Sequence, residues 1–222
     1  MSSKLYSRLD TMNRLILALD VYERERAIKI AVDSAPYLWG IKVNWPLILG
    51  SGLGIIRELK EATNLPIIAD LKLADIPNTN RLIASEVFRA GADYVIAHGF
   101  TGRDSVEAVM EEGSVIVVVD MSHEGSKEFL SPSSDGLIDM ANELIPFGVV
   151  APATRPERIA YVRRKLRKEI KILSPGVGAQ GGRASDAIRA GADFVIVGRS
   201  IYTSPNPGES ARAIWEEVKE WD

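Results

Sequence analysis

The chain has 222 residues, 46% hydrophobic and 26% charged, with 27 basic against 30 acidic side chains and a net charge of −3. That length suits one sizeable core, and the near-balanced charge without a long basic tract argues against a nucleic-acid partner. Cysteine is absent, which removes disulfides, thiolate metal sites and a cysteine nucleophile, and the two histidines, His98 and His123, stand too far apart for a compact metal motif.

The segment Met1–Arg14 mixes Lys4, Arg8, Asp10 and Arg14 with polar residues. It lacks the apolar core of a signal peptide, and no later run approaches a membrane span. A cytoplasmic protein without a membrane partner is expected. The sole glutamine, Gln180, the missing cysteines and the many charges would suit a thermophile.

In chain order, short apolar runs alternate with amphipathic segments. Strand Leu15–Leu19 precedes helix Glu23–Ser34, and strand Tyr37–Val43 precedes helix Gly52–Ala62. Strand Pro66–Ala69 leads to helix Thr79–Ala90, and strand Tyr94–Ala97 to helix Ser105–Glu111. The second half repeats the pattern. Strands Val115–Val119, Gly148–Val150, Ile170–Leu173 and Phe194–Val197 are followed by helices Gly136–Leu144, Arg155–Leu166, Ala184–Ala190 and Gly208–Trp221. Gly91-Ala92-Asp93 and Gly191-Ala192-Asp193 each read as a helix stop running into a strand. Eight strand–helix pairs predict a parallel sheet, and eight is the number that closes a single (β/α)₈ TIM barrel over residues 1–222. A doubly wound open sheet is the alternative architecture.

Several strands end in a charge: Asp20 after the first, Lys42 in the second, and Asp70-Leu71-Lys72-Leu73-Ala74-Asp75 after the third. In a parallel barrel these positions lie at the C-terminal mouth, where catalytic groups are found. Charges there must pair with each other or with a ligand, because desolvating them singly is costly. In extended backbone Asp70 and Lys72 share a face and point together into the mouth. Asp75 falls past the strand end, before Ile76-Pro77, where Pro77 favours a helix start. A lone D-x-K would read as a solvated loop with ordinary ion pairs. Three charges within six residues, behind an apolar strand, favour function.

Ser174-Pro175-Gly176-Val177-Gly178-Ala179-Gln180-Gly181-Gly182 follows the seventh strand, and Gly198-Arg199-Ser200 follows the eighth. Loops at these two strands form the recurrent barrel phosphate site. Glycines such as Gly176 and Gly178 let backbone N–H groups approach an anion, and Arg199 adds a bidentate cation. A phosphorylated small molecule is implied.

Asp70-x-Lys72-x-x-Asp75-Ile76-Pro77-x-Thr79 resembles the signature of the orotidine 5′-monophosphate decarboxylases. The two glycine loops resemble that family's phosphate loops, and Met121-Ser122-His123 resembles the segment that meets the pyrimidine. The similarity runs nearly end to end and looks closest to the archaeal branch. Other phosphosugar members of the wider group share D-x-K-x-x-D, but lack the Ile76-Pro77-x-Thr79 continuation and usually call for Mg²⁺.

The resemblance implies a homodimeric enzyme that converts orotidine 5′-monophosphate to UMP without a cofactor. Lys72 would protonate C6 as the carboxylate leaves, with Asp70 against that carboxylate and Asp75 completing the network from the partner subunit. Lys42 would bridge the network and the ribose, whose hydroxyls Asp20 and Thr79 would hold, Thr79 also across the interface. Ser122 would bond the pyrimidine amide edge. Gln180 would reach between base and phosphate, and Arg199 with the N–H groups around Gly176, Gly178 and Gly198 would bind the phosphate. Ile96, Val118 and Val150 match an apolar pocket beside the departing carboxylate, and they read equally well as barrel core. Asn44 stands where relatives often have glycine and Ala153 where they have serine, and neither change touches the charged core. His98 and His123 read as structural hydrogen-bonders. The rivals are a phosphosugar aldolase or decarboxylase on the same barrel, and a non-catalytic phosphate-ligand binder.

Overall fold

Eight short parallel strands close on one another in chain order: β1 Leu15–Leu19, β2 Gly40–Asn44, β3 Ile67–Leu73, β4 Tyr94–His98, β5 Ser114–Val118, β6 Gly148–Val150, β7 Lys171–Pro175 and β8 Phe194–Val197. The computed structural model describes residues 13–219. The predicted reading of the segment before Asn13, and of Glu220 and Trp221 at the end of the last helix, lies outside them. Because β1 pairs with both β2 and β8, the sheet has no edge, and the open-sheet alternative is excluded.

The strand sequences read as continuous apolar runs because both faces are buried. Ile16, Ala18, Ile68, Ile96, Ile116, Val118, Val150, Leu173 and Ile196 form a cluster inside the barrel. Their neighbours of opposite parity, such as Leu15, Leu17, Ile41, Val43, Val117 and Val149, join a second cluster with apolar residues of the helices. At the N-terminal end of the barrel an aromatic plug is built just before or at the start of the four even-numbered strands. Trp39 meets Phe194 at 4.4 Å between ring centroids, and Tyr94 meets Phe147 at 4.2 Å. Contribution by alternate strands is how barrel interiors layer.

The covering helices are α1 Arg24–Ser34, α2 Trp45–Ser51, α3 Ile55–Thr63, α4 Pro77–Arg89, α5 Arg103–Met110, α6 Leu130–Leu144, α7 Pro156–Lys165, α8 Ala184–Arg189, α9 Arg199–Tyr202 and α10 Pro207–Lys219. The two Gly-Ala-Asp stops play one role twice. Asp93 accepts a hydrogen bond from the Ile67 N–H at 2.8 Å, and Asp193 accepts one from the Ile172 N–H at 2.8 Å, each tying the start of one strand to the start of the preceding one.

Several predicted elements are corrected. The second strand starts at Gly40, not Tyr37, because Ala35–Tyr37 forms a 3-10 turn around Pro36. Helix α6 starts at Leu130, six residues before the predicted Gly136: Pro132 lies in its first turn, where no intrahelical N–H is needed. Finally, α2 and α9 are short helices absent from the predicted set.

Candidate active site

A cavity opens at the C-terminal mouth, and every strand or the loop behind it supplies a wall. Ala18 and Asp20 come from the end of β1, Lys42 and Asn44 from β2, Asp70 and Lys72 from β3, and Ile96 from β4. Val118, Met121 and Ser122 follow from β5, Val150 from β6, Pro175 to Val177 with Ala179 and Gln180 from β7, and Ile196, Gly198, Arg199 and Tyr202 from β8. One side is therefore charged and another, at Ile96, Val118 and Val150, is apolar. Those three are at once barrel core and cavity wall.

Asp70 is the hub of the charged side. Its Oδ2 accepts a hydrogen bond from Lys42 Nζ at 2.7 Å, and its two oxygens accept from Lys72 Nζ at 2.8 and 2.9 Å. Asp70 and Lys42 are buried, at 5% and 6% exposure, whereas the Lys72 side chain keeps 37% and faces the cavity. Burial works against the Lys42 charge, but Asp70 and then Asp20 outweigh it and hold the ammonium above its ordinary range. Burial likewise opposes the Asp70 charge, and Lys42 and Lys72 overcome it, so the carboxyl titrates below the usual carboxylate value.

Asp70 and Lys72 do meet, but not through the plain extended backbone the sequence suggested. The β3–β4 register shifts between Ala69 and Leu73, and Lys72 sits at φ 45°, a left-handed conformation that non-glycine residues rarely adopt. That backbone is strained by roughly 1–3 kcal/mol, and such strain clusters at functional positions. Here it turns the ammonium back onto the carboxylate two residues earlier.

The opposite wall carries Ser122 and Gln180, which bond each other: Ser122 Oγ donates to Gln180 Oε1 at 2.8 Å. Gln180 rides on a loop folded on itself. The Gly178 N–H donates to the Gly182 carbonyl at 2.8 Å, the Gly181 N–H to the Gly178 carbonyl at 2.7 Å, and the Gly182 N–H to the Gly176 carbonyl at 3.1 Å. Gly176 and Gly178 lie at φ 101° and 74°, which explains glycine at both. Arg199 lines the same cavity, exposed, at the start of α9.

Three predicted site residues are not in the walls of this cavity: Asp75, Thr79 and, in the loop after β7, Gly178. Asp75 is exposed, and its Oδ1 accepts from the Ile76 N–H at 2.7 Å. Asn44, noted in the sequence as a departure outside the charged core, is a wall residue with a buried Oδ1 that has no hydrogen-bond partner; the Asp20 Oδ1 is in the same state. His98 also departs from expectation. Its Nδ1 is buried without a partner and its ring lies 4.7 Å from that of Phe100. Burial, aided by Lys72 and opposed by Asp70, keeps the imidazole below its ordinary value and so neutral.

Sequence reasoning missed Tyr202 and Asp120. Tyr202 enters the cavity three residues after Arg199, on the same face of α9. Asp120 is fully buried just beyond β5. It accepts from Arg155 Nη2 and Arg158 Nε, each at 3.1 Å, and from Ser131 Oγ at 2.7 Å. Arg155 in turn donates to the Met121 carbonyl, and Thr154 Oγ1 to the Ser122 carbonyl at 3.4 Å, so the network holds the segment that presents Ser122. The signal was available, since Asp120 is a strand-end acid like Asp20 and Asp70.

A family model for orotidine 5′-phosphate decarboxylase / HUMPS proteins matches residues 13–214. The chain belongs to that family. The orotidine 5′-phosphate decarboxylase of Thermococcus kodakarensis is 73% identical over 94% of this chain and 98% of its own length. That of Pyrococcus furiosus is 64% identical over 93% and 98%. Among solved structures, the crystal structure of the Pyrococcus horikoshii OT3 decarboxylase superposes with a TM-score of 0.89 at 66% identity, covering 92% of this chain and 98% of that one. A Methanocaldococcus jannaschii orotidine 5′-monophosphate decarboxylase complexed with the inhibitor BMP gives 0.89 at 45% identity, covering 93% and 99%. The decarboxylase family is thus shared at high identity over nearly the whole chain, and the chain is a decarboxylase, a carbon–carbon lyase.

Proposed function

We propose that this chain removes the carboxylate of orotidine 5′-monophosphate to give UMP in pyrimidine biosynthesis, in the cytoplasm and as one catalytic domain without a cofactor. The observation that carries the reading is the Lys42–Asp70–Lys72 array facing an apolar wall of Ile96, Val118 and Val150. As the C6–carboxylate bond breaks, CO₂ departs against the apolar wall and the electron pair stays on C6. Lys72 Nζ, already positioned by Asp70, stabilises that pair and then gives it a proton. Asp70 beside the substrate carboxylate disfavours the ground state more than the transition state.

Ser122 and Gln180 fit the pyrimidine amide edge, and Asp20 with Lys42 fits the ribose. Arg199 and the N–H groups of the Gly176–Gly182 loop fit the phosphate, whose binding energy closes that loop over the site.

The site is completed by a second copy of the chain. Asp75 and Thr79 lie outside their own barrel's cavity, and exposed apolar side chains cluster in the same part of the sequence: Trp45, Leu49, Ile76 and Phe100, the last three at 76%, 65% and 59% exposure, follow β2, β3 and β4. A two-fold dimer through this face buries them and sends each Asp75 and Thr79 to the partner's cavity. The test of the activity is loss of orotidylate absorbance on mixing with enzyme in EDTA. Turnover in chelator is expected, and turnover that chelator abolishes and Mg²⁺ restores would overturn the cofactor-free reading.

A further inference from the structure

Asp75 is exposed at its side chain, yet its backbone is held with unusual completeness. The Asp75 N–H donates to Asn80 Oδ1 at 3.2 Å, and Asn80 Nδ2 donates back to the Asp75 carbonyl at 3.1 Å. One side-chain amide therefore satisfies both polar groups of a single residue, as a neighbouring strand would. Asn80 is itself buried, at 1% exposure, and its remaining donor goes to Ser105 Oγ at 2.7 Å. Ser105, fully buried at the start of α5, donates to the same Asp75 carbonyl at 2.6 Å. Two successive helices thus grip the backbone of one residue in an exposed turn.

Closing the N-terminus of α4 does not require this. Pro77 occupies the first position of that helix and has no N–H to cap, and the Ile76 N–H is already taken by Asp75 Oδ1. Burying an amide and a hydroxyl against one carbonyl is justified when the residue they hold must present its side chain in a fixed direction. Asp75 is exposed and stands outside the walls of its own barrel's cavity.

We propose that Asn80, seconded by Ser105, is a positioning residue that acts in trans: it aims Asp75 into the active site of the partner copy and has no role in the site of its own barrel. This rests on the shared-site reading above. Asn80→Ala should lower kcat/KM by about tenfold or more in the homodimer. Ser105→Ala, which removes one of the two grips on the carbonyl and leaves the amide in place, should cause a smaller loss of the same kind.

The decisive experiment uses heterodimers made with two affinity tags. With Lys72→Ala on one chain and Asn80→Ala on the other, one site receives both lesions and the other neither, so activity should return to about half that of wild type per dimer. With Asp75→Asn on one chain and Asn80→Ala on the other, each site carries one lesion and no recovery is expected. The Lys72→Ala with Asp75→Asn heterodimer is the control for the shared site itself. Recovery in the control without recovery in the Lys72→Ala with Asn80→Ala pair would overturn the role of Asn80 alone. Failure of the control would overturn the shared site and the trans role together. Should Asn80→Ala not fold, the same two pairings with Ser105→Ala in its place decide the matter, and equal residual activity in both would overturn it.

Discussion

Asp70→Asn is the substitution with the most to say about this site, because it removes the one carboxylate that both lysines share while keeping its shape. In the native chain Lys42 is buried and its charge is balanced by Asp70 at 2.7 Å, with Asp20 as a second, weaker influence. Removing one partner of a buried pair typically costs about 3–5 kcal/mol. The lower end applies here, since Asp20 stays beside Lys42, and since Lys72, at 37% exposure, can turn to water and contributes little. A loss of about 3 kcal/mol corresponds to a fall of roughly 6–12 °C in Tm for a domain of this size. Thermal unfolding followed by circular dichroism at pH 7 measures it. The pH dependence has a definite sign. The folded carboxyl titrates below its ordinary value, so its contribution is fully present above the unfolded value of about 3.9 and is lost as pH falls through the lower folded one. The raised Lys42 behaves oppositely: its share is present below about 10.4 and disappears as pH rises through the folded value. The gap between wild type and variant should therefore be flat from about pH 5 to pH 9 and close on either side. Adding Lys42→Met removes the stranded ammonium and should recover part of the lost stability but none of the activity. A loss below about 1 kcal/mol, or strict additivity of the two substitutions, would refute the view of Asp70 as the buried counter-ion of Lys42.

Two further substitutions probe the two ends of the site. On the proposed mechanism Lys72→Ala should reduce kcat by several orders of magnitude while UMP still binds, because stabilising a C6 carbanion and protonating it would each contribute several kcal/mol; a variant retaining about a tenth of wild-type kcat would show that Lys72 is not the proton donor. Arg199→Ala should strongly weaken kcat/KM for the phosphorylated nucleotide yet barely alter turnover of orotidine lacking the phosphate, and equal proportional losses on both would assign Arg199 to the fold instead.

Much of the barrel was legible because a strand buried on both faces leaves a short unbroken apolar run. β1, β6 and β8 coincide with the predicted bounds for that reason. The end of β3 was not legible: charges at Asp70 and Lys72 read as the end of a strand, whereas the ladder runs on to Leu73 because those charges satisfy each other inside the mouth. Strand-end chemistry placed Asp20, Lys42, Asp70 and Lys72 in one cavity, and glycine spacing placed the loop behind β7 beside Arg199. Asp120 escaped because its partners, Arg155 and Arg158, lie 35 and 38 residues on, and only the adjacency of β5 and β6 brings them together. The grip of Asn80 on Asp75 escaped for a different reason. Five residues apart across a turn, they show no periodicity a sequence can display, and the bond uses backbone groups that every residue carries.

Gly178 offers a test in which two physical contributions can be separated. Its backbone lies at φ 74°, and a Cβ built there would stand 2.2 Å from Ser200 Oγ and 3.2 Å from Ser200 Cβ. Gly178→Ala therefore meets a conformational penalty and a collision at once. The left-handed backbone costs an alanine about 1 kcal/mol, roughly a fivefold effect, wherever the collision goes. The collision is with the end of a short side chain, and Ser200→Gly removes it. In Gly178→Ala the loop that carries Gln180 must shift, so Gln180 loses its place against Ser122 and the N–H groups of the loop move away from the anion position. KM for the phosphorylated nucleotide should rise well beyond the fivefold expected of backbone strain alone. The double variant Gly178→Ala/Ser200→Gly should return to within about fivefold of the Ser200→Gly variant, leaving only the conformational share. If the second substitution recovers nothing, close approach of the loops after β7 and β8 is not what demands glycine at 178, and the packing of the Gly176–Gly182 turn against Ser200 does not set affinity for the phosphorylated nucleotide.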